Sequence, residues 1–160
     1  MKPLFSLLIA GLRRLTELCM AALALLTLAD VLGRYVFNVS VMGSVELTEI
    51  LMVGVIFCGI VLATMKREHV VVDLLPLPFG EMGARVANTA THLLAAGISA
   101  LLAVVSWSQA ESALEYGDQT TMLGLPLAPV VYFMSIMLFI NTAVQLGLLY
   151  KDLHRETAHD

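Results

Sequence analysis

The sequence predicts an all-α integral membrane protein with four transmembrane helices and N- and C-termini in the cytoplasm. Three observations carry that expectation. First, the 160 residues are 59% hydrophobic and only 14% charged, with a mean hydropathy of +0.86. A soluble domain is roughly half apolar and about one quarter charged, so most of this surface must face hydrocarbon. Second, the charges cluster at the ends of four long apolar runs and in the gaps between them, and the runs form a single membrane domain over 1–160. Third, of the nine Lys and Arg, all but Arg34 lie in the N-terminal stretch, in the segment 66–85 or in the C-terminal tail. Basic residues mark cytoplasmic segments, so those three are expected inside, and the loops 38–44 and 111–125 outside.

Span one is expected over about 15–37. Met1-Lys2 followed by PLFSLLIAGL resembles a secretory leader, but Arg13-Arg14 stands where a small-residue cleavage site belongs. The N-terminus is therefore expected to remain as an interfacial lead-in. Glu17 can pair with Arg13 and Arg14 one turn earlier, and Asp30 and Arg34 share a face near the far end, acid before base. Tyr35 and Phe37 suit an interfacial position.

Span two, about 45–65, opens on Glu46 and Glu49 and carries no charge from Ile50 to Met65. Carboxylates in a first turn complement the positive end of the helix dipole. Gly59 and Ala63 form a small-xxx-small pair that predicts close helix approach. The segment 66–85 mixes charge with apolar residues, Pro76 and Pro78, and reads as a surface-lying cytoplasmic loop. Span three, about 86–110, is rich in alanine, glycine, serine and threonine, and Trp107 marks its outer interface. Span four, about 126–150, starts at Pro126 and Pro129, both compatible with a first turn, and ends at Lys151.

Asp30 and Arg34 read as a structural pair in preference to a contact for a transported species. Glu46 and Glu49 read as solvated carboxylates at a helix start rather than proton carriers. His92 is the only histidine within a span; a haem anchor wants two facing one another, and His69, His154 and His159 lie outside the spans. Asn141 and Gln145 share a face of span four and read as hydrogen-bonding glue between helices. Cys19 and Cys58 fall inside apolar runs and read as free thiols, with neither disulfide nor metal site. No catalytic constellation, phosphate-binding glycine loop or metal-spaced cluster is present, and no cofactor is expected. No basic stretch interleaved with aromatics supports nucleic-acid binding. The chain reads as a packing partner in the bilayer, not an enzyme.

The order and spacing of several short pieces resemble a known family. They are Asp30-x-x-x-Arg34-Tyr35-Val36-Phe37 closing span one, and Glu46-Leu47-x-Glu49 opening span two. Gly59, Glu68-His69-Val70-x-Val72-Asp73, and Leu123-Gly124-Leu125-Pro126-Leu127 with Tyr132 complete the set. Together they resemble the DctQ-type small membrane subunit of tripartite ATP-independent periplasmic (TRAP) transporters, over nearly the whole chain. One departure is Ser44-Val45 before Glu46, where that family often has a tryptophan or a further acid.

The resemblance implies a location in the bacterial inner membrane and two partners. A large membrane subunit holds the substrate and sodium sites, and a soluble periplasmic binding protein delivers an organic acid. The small subunit would then be scaffold and part of the docking surface. On that reading Asp30, Arg34, Glu46, Glu49, His69, Asp73, Ala100, Asn141 and Gln145 are structural or interface candidates. The small-residue face of span three and the amides of span four are expected to face the partner. Glu111, Glu115 and Asp118 are candidates for docking the binding protein. The alternatives are a haem-bearing or structural four-helix anchor of another complex, and a small exporter working as a homodimer.

Overall fold

A computed structural model describes residues 2–65 and 80–156, with side chains over 6–65 and 89–150. The described residues form α1 (Lys2–Phe37), α2 (Ser44–Met65), α3 (Gly80–Tyr116) and α4 (Ala128–Glu156). All four are long and apolar enough to cross a membrane. At 1.5 Å per residue the 22 residues of α2 run about 33 Å, close to the thickness of a bilayer's hydrocarbon core. The 36 residues of α1 run about 54 Å, well beyond it.

Three helices run several residues beyond the spans read from the sequence, α4 by continuing to Glu156. The lead-in before Leu15 is not a separate segment, because α1 is continuous from Lys2. Pro3 falls in its first turn, where a missing N–H costs nothing, and Arg13 and Arg14 both pair with Glu17 at helical spacing, at 3.0 and 3.4 Å. Helix α3 starts at Gly80 and so takes in the end of the expected 66–85 loop. It also runs on to Tyr116, so Glu111 and Glu115 lie on helix and not in a loop. It stops at Gly117, which takes the left-handed φ of +67° that glycine adopts without strain, while the Asp118 N–H returns to the Ala113 carbonyl at 2.9 Å.

The helices are arranged in space in the order α1, α2, α4, α3. Helix α1 packs on α2, α2 on α4, and α4 on α3; no other pair of helices is in contact among the described residues. This is an open row of two hairpins meeting at the α2·α4 seam, not a closed bundle. Leu12, Cys58 and Val61 form the buried centre where α1 and α2 meet, with Phe133, Met137 and Ile140 of α4 against it. The α3·α4 seam is lined by alanine: Ala96, Ala103 and Ala110 recur every seventh residue and are all buried. Small side chains let the two backbones approach, and the Ser135 hydroxyl donates to the Ala103 carbonyl at 2.7 Å.

The expected close approach at Gly59 is not where the helices meet. A side chain at Gly59 would find nothing within 4 Å, whereas a Cβ at Gly54 would lie 3.0 Å from Cys19 Sγ. Gly54 faces α1 on the buried side of α2; Gly59, five residues on, has rotated off that face. The remaining faces of α1 and α3 expose a large apolar surface, including Leu18, Leu25, Leu94 and Leu101. Such surfaces belong against lipid or another membrane protein.

Candidate functional site

The polar chemistry of the chain gathers at two levels, the helix ends that carry the loops 38–43 and 117–127 and a band inside them. At the C-terminal end of α1 Asp30 pairs with Arg34, as the helical spacing predicts, with 2.8 Å between Oδ2 and the guanidinium. Its second oxygen does something the spacing does not reveal. Asp30 Oδ1 accepts from the Val41 N–H at 3.0 Å, eleven residues further on, and the Ser44 hydroxyl faces the same carboxylate. The acid is only 15% exposed against 56% for the arginine, so Asp30 is the anchor and Arg34 its solvent-side cover. Asp30 thus ties down the loop from α1 to α2. That loop needs Asn38 in the left-handed region, with φ of 52°. It folds back so tightly that a Cβ on Gly33 would sit 2.7 Å from the Val39 carbonyl oxygen.

Glu46 performs the same task on the loop between α3 and α4. Its Oε1 accepts from the Met122 N–H at 2.6 Å and its Oε2 from the Leu123 N–H at 2.9 Å. The Thr120 hydroxyl and the Thr121 N–H face the same carboxylate. A carboxylate accepting two backbone amides makes short, charge-assisted bonds. The loop it grips is closed by its own bonds: Thr120 N–H to Leu125 carbonyl at 2.9 Å, Gly124 to Thr120 at 3.1 Å, and Leu127 to Asp118 at 3.0 Å. Leu123 then lies over Gly43, where a Cβ would come within 2.5 Å of the leucine side chain. Gly43 also holds a φ of +75°, and its carbonyl takes the first α2 bond, from Leu47. Two loops far apart in sequence are therefore interlocked through Glu46 and Gly43. Glu49, one turn on, is exposed.

Glu111, Glu115 and Asp118 are all exposed and run along the end of α3 and just past it. Glu111 accepts from the Trp107 indole N–H at 2.9 Å. That indole stacks edge-on to Tyr132 at 5.1 Å and Phe139 at 6.4 Å, fixing the α3·α4 seam there.

The interior band corrects the expectation that the amides of span four face a partner. Asn141 and Gln145 are buried, and their bonds stay within the chain. Asn141 Nδ2 donates to Ser99 Oγ at 2.9 Å, and the Thr64 hydroxyl lies 2.7 Å from Asn141 Oδ1. One side chain on α4 therefore links α3 to α2. Gln145 Oε1 stands 3.0 Å from His92 Nδ1, which gives the membrane histidine a packing role between α3 and α4. The small-residue face of α3 is likewise spent on α4: Ala96 and Ala103 are buried there, and Ala100 is half-buried. The physical reason is the same for both. With lipid on the outside, buried polar groups and small residues are most favourable where two helices of the same chain meet. His69 and Asp73 lie outside the described residues. No group of three or more His, Cys, Asp or Glu side chains is placed to hold a metal ion among the described residues.

A row of membrane-crossing helices whose buried polar groups bond one another, with Asp30 and Glu46 gripping loop amides at one end, defines a polytopic membrane protein. Comparison with families agrees and is more specific. The model of the family described as tripartite ATP-independent periplasmic transporters, DctQ component, matches residues 23–155. The chain belongs to that family: it is the small membrane component of a TRAP transporter. Comparison with curated proteins gave no match.

Proposed function

We propose that this chain scaffolds the large membrane subunit of a TRAP transporter in the bacterial inner membrane, during sodium-coupled uptake of an organic acid delivered by a periplasmic binding protein. In this role it is a transport component and not a catalyst. Its termini lie in the cytoplasm, and Glu111, Glu115 and Asp118 face the periplasm as part of the surface the binding protein meets. The observation that carries the proposal is the disposition of polar groups. Asp30, Glu46, Asn141 and Gln145 all bond to groups of this chain, and the runs 50–65, 86–110 and 128–150 contain no Asp, Glu, Lys or Arg. What is left facing outwards in the membrane is apolar surface, suited to lipid and to a larger partner.

The test is co-purification followed by docking. The tagged chain is expected to bring down the large subunit from mild detergent, and the complex to bind the purified binding protein. Reversal of Glu111, Glu115 and Asp118 to lysine is expected to slow association by roughly tenfold at low ionic strength, with the difference shrinking as salt rises. A chain recovered without the large subunit would contradict the scaffold role. An association rate indifferent to the charge reversal would remove those three acids from the docking surface.

A further inference from the structure

The register of α1 against α2 sets a charged trio at a defined depth in the bilayer. A Cβ on Gly54 would lie 3.0 Å from Cys19 Sγ, the Thr16 side chain faces the Cys58 thiol, and Leu12 shares a buried cluster with Val61. The two helices are therefore antiparallel. Arg13 and Arg14 stand level with Ile60, about one and a half turns short of the end of α2 at Met65. Since α2 is about as long as the hydrocarbon core is thick, that level is just inside one membrane boundary.

The arginines also lie on the side of α1 turned away from its neighbour. At about 100° per residue, Arg13, Glu17 and Arg14 stand roughly 100°, 140° and 200° round the helix from the buried Leu12. Their side chains are 72%, 48% and 82% exposed, and α2 is the one helix that α1 touches among the described residues. Long helical side chains lean towards the helix N-terminus, which for α1 is the direction of the nearer boundary. An arginine so placed lays its stem in the apolar region and lifts its guanidinium to the headgroups. Glu17 bonds both arginines, at 3.0 and 3.4 Å, and offsets one of their two charges. Among the described residues no other acid pairs with either, so the trio keeps a net positive charge.

We propose that Arg13 and Arg14 bind the phosphate of one anionic phospholipid at the edge of the bilayer. A phosphodiester accepts hydrogen bonds from both guanidinium groups and brings the charge of the site to zero. A zwitterionic lipid offers the same oxygens but carries its own cation, and so leaves the site charged. The inference rests on the spans and on the register of α1 and α2, not on the scaffold role.

The test is titration of the delipidated full chain in detergent with phosphatidylglycerol or phosphatidylcholine, read by native mass spectrometry, with inorganic phosphate as competitor. The wild type is expected to take up one phosphatidylglycerol in preference to phosphatidylcholine, and to keep it against phosphate. Arg13→Gln with Arg14→Gln is expected to weaken phosphatidylglycerol binding roughly tenfold to thirtyfold and to leave phosphatidylcholine unchanged. Glu17→Gln, which removes only the offsetting acid, is expected to tighten it, a gain that a merely structural trio does not predict. That variant decides the matter if the double substitution fails to fold. Equal affinity for the two lipids, displacement by phosphate, a double variant that binds as the wild type does, or a Glu17→Gln chain that binds no tighter overturns the proposal. So does a lipid held by the isolated chain but absent from its complex with the large subunit, which would assign the arginines to an acid of that partner.

Discussion

Asp30 shows how much a single side chain does beyond what its spacing declares. Four residues from Arg34 on a helix, it is read at once as half of an ion pair, and the pair forms at 2.8 Å. Its bond to the Val41 N–H was not legible, because it depends on how the following loop folds back. That bond makes the two partners unequal. Arg34→Gln leaves the loop tied and removes one partly solvated pair, whereas Asp30→Ala strands both the guanidinium and a loop amide. The expected order of thermal stability in detergent is wild type, then Arg34→Gln, then Asp30→Asn, then Asp30→Ala. The last is expected to lose the most, because it leaves a part-buried loop amide without its acceptor. Equal losses for Arg34→Gln and Asp30→Ala would show that the ion pair, not the loop anchor, matters. Glu46 was legible as a helix-start carboxylate but not as a clamp, since Met122 and Leu123 are more than seventy residues away.

Helices were more readable than their ends or partners. Charge-free runs reveal where a bilayer can be crossed, and each described helix contains one of the spans expected from the sequence, but for the first two residues of span four. The ends were harder. Helix α3 passes Glu111 and Glu115 because nothing in Glu111–Tyr116 opposes a helix until Gly117. Pairing was harder still, because a stripe of alanine declares that something packs closely without saying what. The stripe on α3 was expected to meet another protein and meets α4 instead. Ala103→Leu is therefore expected to destabilise the isolated chain by roughly 1–3 kcal/mol through overpacking. Leu101→Ala, on the exposed face, is expected to leave its unfolding midpoint unchanged. The isolated chain in detergent, unfolded by heat with and without each substitution, separates the two cases. Were Ala103→Leu harmless alone and damaging only in the complex, the stripe would face the large subunit after all.

Among the described residues the helices form an open row, in which α1 and α3 each have one neighbouring helix and expose their other faces. A self-sufficient carrier would enclose a polar path; this chain encloses bonded amides and hydroxyls. Its orientation is proposed from the basic residues and is open to a direct check. With Cys19 and Cys58 removed, single cysteines at Ser40 and Asp118 are expected to react with an impermeant thiol reagent on intact cells, and one at Gly83 only after lysis. Labelling at Gly83 alone would invert the topology.

The central claim is that this chain supplies surface and not a transport site. Uptake into proteoliposomes tests it most directly, with the chain reconstituted alone, with the large subunit, and with the large subunit plus the binding protein under a sodium gradient. No uptake is expected from the chain alone or without the binding protein, and full uptake only from the complete set. Sodium-dependent uptake by the chain alone would contradict the claim outright.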